Sequence, residues 1–273
     1  MKESSSSPIH KAADYVAGKA LWEMTRTPRF RVDDPNGNFV QARDALAEGR
    51  SVLAYSNHIS KWDPAIIARF TDTYLTPIRN VSGIAGLKHY DPNRPESSAT
   101  TRNATRLLQD HTGLGVILVV QDYDRGSYPE PSPATDGKSV ERFNASAFMR
   151  AARVLRSEGQ VLFIAPEGTR SKTGELQEAE DGLDTLFDLS GGRALAMPIA
   201  IETVGDGEIK PGPFNRVVLR PGEPFSLDEL DQDQEKNPDI SRKDLMMIRL
   251  AALLSPTNQG HYRRFLDNPQ SHS

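Results

Sequence analysis

Short apolar runs alternate with longer segments of helical periodicity along most of the chain. The apolar runs predict strands over 51–56, 78–83, 115–120, 160–165, 194–201 and 216–220. Apolar residues at three- and four-residue spacing predict helices over 9–25, 40–48, 64–71, 97–110, 142–158, 178–189 and 241–254. Ala145, Phe148, Met149, Ala152 and Leu155 give the helix over 142–158 a face to bury. Strands alternating with helices predict an α/β fold, with a mixed, largely parallel central sheet flanked by helices and an N-terminal helix. Three segments follow: a polar N-terminus with an amphipathic helix (1–30), the α/β domain (31–225), and a C-terminal helix with a polar tail (226–273). No internal repeat is evident.

Two stretches interrupt the alternation. Residues 122–139 carry Gly126, Pro129, Pro131, Pro133 and Gly137 among polar residues and read as an irregular loop, either a lid or a passive insertion. Residues 228–240 are acidic and polar and read as a solvated connector.

The first candidate chemistry lies just after the strand run Val52-Leu53-Ala54-Tyr55, in Ser56-Asn57-His58-Ile59-Ser60-Lys61-Trp62-Asp63-Pro64. Pro64 can open a helix, and Asp63 then falls at or beside its N-cap. A carboxylate there can bond one ring nitrogen of His58 and fix its tautomer, leaving the other to take a proton from a hydroxyl. Taken alone, the pair reads equally well as a loop histidine and a helix cap. The second candidate is Pro166-Glu167-Gly168-Thr169-Arg170-Ser171, directly after Val161-Leu162-Phe163-Ile164-Ala165. Parallel α/β sheets place their sites at the carboxyl ends of strands. Gly168 permits close backbone approach or a positive φ, and Arg170 offers a planar fork suited to a phosphate. Alone, this reads as a surface turn.

Together, Asn57-His58-x4-Asp63 and Pro166-Glu167-Gly168-Thr169-Arg170-Ser171 resemble the motifs of the glycerolipid acyltransferase family, which includes glycerol-3-phosphate and 1-acylglycerol-3-phosphate acyltransferases. The proline-containing run Ala194–Ile201 resembles the family's late strand. Arg125, after Gly115–Val120, stands where the family's second block has its arginine. The family often carries a Phe-Lys-x-Gly element after the third block, whereas this chain has Glu178-Ala179-Glu180-Asp181-Gly182 and lacks the lysine.

The resemblance implies transfer of a fatty acyl group from a thioester to a hydroxyl of 1-acylglycerol-3-phosphate in phospholipid biosynthesis. Glycerol 3-phosphate is the alternative acceptor, and a binding relative without turnover is the alternative class. His58 is then the general base and Asp63 its orienting carboxylate. Glu167, Gly168, Thr169, Arg170 and Arg125 fall to the acceptor, with Glu167 binding its hydroxyl or orienting Arg170. The donor is a coenzyme A thioester or an acyl carrier protein, a co-substrate, and neither cofactor nor metal is implied.

Composition narrows the alternatives. The chain has 273 residues and a net charge of −4, which argues against a nucleic-acid partner. It has no cysteine, so no disulfide, thiolate nucleophile or cysteine-based zinc site can form. The histidines show no metal pattern, and His89 and His111 are isolated. The serine-hydrolase elbow fails at Asn80, before Ser82-Gly83, and the P-loop pattern fails at Ser132, before Gly137-Lys138-Ser139. No apolar stretch approaches the ~20 residues that span a bilayer, and no targeting signal is evident, which favours the cytoplasm. Over residues 9–24, Ile9, Ala13, Val16, Ala17, Ala20, Leu21 and Met24 recur at helical spacing. Packing on the domain is the preferred reading of this helix. A peripheral contact with the inner face of the membrane is the alternative and would demand a more basic polar face.

Overall fold

The computed structural model describes residues 19, 30–60, 63–94, 97, 99–128, 132–203 and 217–267. The helix expected over 9–25 lies outside the described residues apart from Lys19. Seven strands form one sheet: β1 (Phe30–Val32), β2 (Ser51–Ser56), β3 (Val81–Gly86), β4 (Gly115–Val119), β5 (Val161–Ile164), β6 (Ala194–Thr203) and β7 (Val217–Pro221). Their order is β1-β7-β6-β2-β5-β3-β4, and every neighbouring pair is parallel except β6–β7. The fold is α/β with a mixed, largely parallel sheet flanked by helices.

The helices are α1 (Asn38–Ala47), α2 (Asp63–Tyr74), α3 (Ala99–Thr112), α4 (Val140–Arg156), α5 (Leu183–Leu189), α6 (Leu227–Lys236), α7 (Arg242–Ala251) and α8 (Arg263–Asp267). Strand β2 shows how the layers are made. All six of its residues are buried, and successive side chains point to opposite faces. Leu53 and Tyr55 join Ala147, Ala151 and Leu155 of α4, Leu186 and Phe187 of α5, and Met246 and Leu250 of α7. Val52 and Ala54 join Ala42 and Leu46 of α1 and Ile66, Ile67 and Phe70 of α2 on the other face. Each fully buried side chain of this size contributes about 1.5–3 kcal/mol. The Tyr55 hydroxyl donates to Met246 O at 2.8 Å, tying α7 to the centre of the sheet.

Pro198 lies in β6, where a lost N–H would ordinarily break a ladder. The odd-numbered positions of β6 turn their backbone toward β2, since Ser51 N donates to Arg193 O. The even positions turn the other way, with Ala196 paired to Phe225 and Pro198 O accepting from Gly222 N at 2.8 Å. The missing N–H therefore faces away from β2, and the β2–β6 ladder runs unbroken from Ser51↔Ala194 to Ser56↔Ile199.

Three differences from the expected elements have physical causes. The strand expected over 78–83 begins at Val81, because Ile78–Asn80 turns as a 3₁₀ helix after Pro77. The segment read as a connector, 228–240, is largely helical, since 227–236 form helix α6. Its N-terminus is a capping box in which Ser226 Oγ accepts from Glu229 N and the Glu229 carboxylate accepts from Ser226 N. Leu230 is its one buried residue, so the apolar periodicity is too thin to announce the helix. The expected loop over 122–139 holds two 3₁₀ turns, Asp122–Ser127 and Pro133–Thr135. Among the described residues no helix is long and apolar enough to cross a membrane.

Where β2 ends, Asn57 extends its pairing by side chain. The carboxamide donates to Ile201 O at 2.8 Å and accepts from Ile201 N at 2.8 Å, imitating one more peptide of the ladder. The main chain can then leave the sheet at His58 without orphaning the buried groups of Ile201. Asn57→Ala should cost about 2–4 kcal/mol, because both groups of Ile201 lose their partner. Urea unfolding of the two proteins measures the difference, and a loss below about 0.5 kcal/mol would mean the loop does not depend on this splice.

Candidate active site

Strands β2 and β5 are parallel neighbours in register, with Tyr55 opposite Ile164. The loops that follow them therefore leave the same edge of the sheet side by side. Both expected motifs lie on these loops, 109 residues apart in sequence for His58 and Glu167. The β3 and β4 ends, Gly86 and Val119, are also paired and open on that edge.

On the first loop, His58 Nδ1 lies 2.9 Å from Asp63 Oδ2. The same oxygen accepts the N–H groups of Ile59 and Ser60, each at 2.7 Å. Asp63 is the first residue of α2, as the sequence implied, but its carboxylate reaches back to the loop. This shapes the turn and holds the imidazole together. The Asp63 side chain is 2% exposed and that of His58 is 21% exposed, so the ring is supported from the interior and open on one side. With Nδ1–H committed to Asp63, the neutral ring carries its free lone pair on Nε2.

The second loop grips the first through His58's own peptide groups. His58 N donates to Glu167 Oε1 at 2.6 Å, and Ser171 N donates to His58 O at 2.7 Å. Glu167 is buried, and its other oxygen accepts from Gln177 N at 2.9 Å and Gln177 Nε2 at 3.3 Å. Both carboxylate oxygens are thus occupied by protein donors. Burial pushes the Glu167 pKa up to about 7, against the lowering effect of the hydrogen bonds from Gln177 and His58. Gly168 has φ +64° and bends the chain so that Thr169 and Arg170 stand exposed at the rim.

The remaining expected residue, Arg125, lies in the turn after β4. It is ion-paired to Glu141 at 3.1 Å and more loosely to Asp122 at 3.7 Å. The neighbouring Gln121 and Tyr123, which the sequence did not single out, reach across instead. Gln121 Nε2 donates to Gly168 O, and the Tyr123 hydroxyl lies 3.4 Å from the same oxygen. Lys88, just beyond β3, bonds the Tyr123 hydroxyl and pairs with Asp124 at 3.3 Å, and Arg94 pairs with Asp124 at 3.3 Å. Tyr123 and Lys88 carry no short-range sequence pattern. Only the shared sheet edge joins them to the second motif. Among the described residues no three His, Asp or Glu side chains cluster as metal ligands would.

No protein-family model matches the chain. Two chloroplastic glycerol-3-phosphate acyltransferases are similar to it. That of Pisum sativum is 28% identical over 174 residues, covering 60% of this chain and 34% of the relative. That of Phaseolus vulgaris is 24% identical over 153 residues, covering 56% and 29%. The chain therefore spans about a third of the length of the curated relatives it matches. Among solved structures, the 1-acyl-sn-glycerophosphate acyltransferase PlsC of Thermotoga maritima aligns with a TM-score of 0.47 at 13% identity, over 98% of this chain and 86% of that one. The sequence similarity falls within the glycerolipid acyltransferases, the family that the two motifs resemble.

The buried Glu167 generates a pH prediction. A carboxyl group whose pKa rises on folding, here from 4.5 to about 7, holds its proton longer in the folded state than in the unfolded one. Its contribution to stability is then greatest below pH 4.5 and falls by about 3 kcal/mol as pH rises to 7. Glu167→Gln should remove that part of the dependence. Unfolding free energies of both proteins at pH 5 and pH 8 test it, and identical pH dependence would mean that Glu167 ionises as a solvated carboxyl does.

Proposed function

We propose that this chain is an O-acyltransferase that moves a fatty acyl group from a thioester to a hydroxyl of a phosphate-bearing glycerol acceptor. The observation that carries the reading is the His58–Asp63 pair at 2.9 Å, open on one side and gripped through its peptide by the second motif. The sequence relatives support the same class.

In this reading the acceptor hydroxyl lies against His58 Nε2. The thioester is already activated, but the hydroxyl is a poor nucleophile at neutral pH. His58 takes its proton as the oxygen attacks the thioester carbonyl, and Asp63 stabilises the imidazolium. As the tetrahedral intermediate collapses, the C–S bond breaks and the imidazolium returns its proton to the thiolate. The products are the ester and the free thiol. General-base assistance of this kind supplies about 10²–10⁴-fold in rate.

Arg170, exposed beside Thr169 on the Gly168 turn, binds the acceptor phosphate through its fork. Arg125, ion-paired to Glu141 in the turn after β4, is not assigned to the acceptor in this reading. Glu167, buried and bonded to the His58 N–H and to Gln177, is assigned to the support of His58 in this reading. The two sequence relatives are glycerol-3-phosphate acyltransferases by name, which favours glycerol 3-phosphate as acceptor. The second reading is 1-acylglycerol-3-phosphate, supported by the Glu-Gly-Thr-Arg form of the motif. The donor is coenzyme A or an acyl carrier protein.

A thiol-release assay tests the reading, pairing palmitoyl-coenzyme A or an acyl carrier donor with each acceptor. His58→Ala should lower turnover by about 10²–10⁴-fold with the fold intact. Wild-type turnover in that variant would remove His58 from the base role, and silence of the wild type with all four pairs would overturn the assignment. Arg170→Ala should raise the KM for the phosphate-bearing acceptor by about tenfold or more with little change for the donor, since one charge-assisted hydrogen bond is worth about 1.5–3 kcal/mol. A rise confined to the donor KM would place the phosphate elsewhere.

A further inference from the structure

Gln177 belongs to neither motif, yet it ends a continuous chain of contacts that starts at β6, on the other side of β2 from β5. Glu202, near the end of β6, is buried and anchors the C-terminal segment. Its Oε1 accepts from Ser255 N at 2.9 Å, Ser255 Oγ at 2.6 Å and Asn258 Nδ2 at 2.8 Å. That segment grips the loop after the second motif. Leu176 N donates to Asn258 O at 2.9 Å, and His261 N donates to Leu176 O at 3.0 Å. Ala179 N donates to the buried hydroxyl of Tyr262 at 3.2 Å. Gly260 has φ +51°, and a Cβ there would run into the backbone of Leu176, so the two strips of chain meet at contact distance.

The residue after Leu176 is Gln177. Its N–H and its carboxamide both donate to Glu167 Oε2, at 2.9 and 3.3 Å, and the carboxamide also lies 3.4 Å from Thr169 O. The other oxygen of Glu167 receives the His58 N–H. A buried carboxylate holds one orientation only while its oxygens are bonded. Gln177 satisfies the oxygen that faces away from His58 and so aims the other at the His58 peptide.

We propose that Gln177, seated by the C-terminal segment 255–262, is a positioning residue for His58. It acts through Glu167 and touches no reacting atom. This rests on His58 being the base, as proposed above. A shift of about 1 Å in a catalytic group costs about 100-fold in rate, so loss of the clasp should appear in turnover and not in binding.

The test is Gln177→Met in the full chain, which keeps the side-chain length and the backbone N–H bond to Glu167 Oε2 but removes the carboxamide bonds to that oxygen and to Thr169 O. Turnover should fall by about 10–100-fold while both KM values stay within about threefold. In a His58→Ala background the same substitution should cost nothing further, because a displaced base that is already absent cannot matter. Amide hydrogen exchange at His58 should quicken in Gln177→Met. Equal losses in both backgrounds, or wild-type turnover, would overturn the proposal. If the wild type transfers no acyl group at all, the functional reading fails, and His58 exchange alone then decides the clasp: faster supports it, unchanged overturns it. Should Gln177→Met not fold, Gln177→Asn, which retains a carboxamide of shorter reach, is read by the same comparisons.

Discussion

His58 is held by its own peptide unit from two directions. Its N–H is bound by Glu167 and its carbonyl by the N–H of Ser171, both from the loop after β5. The ring is held separately, by Asp63 at the start of α2. Backbone and side chain are thus fixed by different elements, and neither can turn without breaking a hydrogen bond. This demands that the β2 and β5 loops emerge together, which the parallel pairing of Tyr55 with Ile164 provides. The sheet order, with β5 inserted beside β2, is what turns two distant motifs into one site.

The same edge separates supporting groups from exposed ones. Asn57, Asp63 and Glu167 are buried and hold backbone groups: Asn57 those of Ile201 in β6, Asp63 Oδ2 the N–H groups of Ile59 and Ser60, and Glu167 the N–H groups of His58 and Gln177. Thr169 and Arg170 stand exposed at the rim. The imidazole lies between the two sets, buried on the Asp63 side. A general base needs this division, since its position must be set by groups that do not exchange with solvent while its free nitrogen meets the substrate.

Much of the frame was legible in the chain because buried parallel strands are short continuous apolar runs. Val52–Tyr55, Val161–Ile164 and Ala194–Ile201 are such runs, and each is a strand. The three-residue β1, Phe30–Val32, has a charged residue at its centre and no periodicity to read. Helix α6 carried a readable sign in Ser226 and Glu229, hidden by an acidic segment with a single buried apolar residue. The pairing of His58 with Asp63 could be proposed from a separation of five residues. The grip of Glu167 on the His58 peptide could not, since it follows from strand order. Gln177 was further out of reach, because its seat is made by Asn258, Gly260 and His261, from a stretch that reads as polar tail.

Nitrogen-15 NMR of the neutral His58 ring tests most directly whether this geometry makes a base. The hydrogen bond to Asp63 requires the proton on Nδ1 and leaves Nε2 unprotonated. A spectrum showing the Nδ1–H tautomer, lost in Asp63→Asn, agrees with that assignment. A ring protonated on Nε2, or an even mixture of tautomers unaffected by Asp63→Asn, contradicts it.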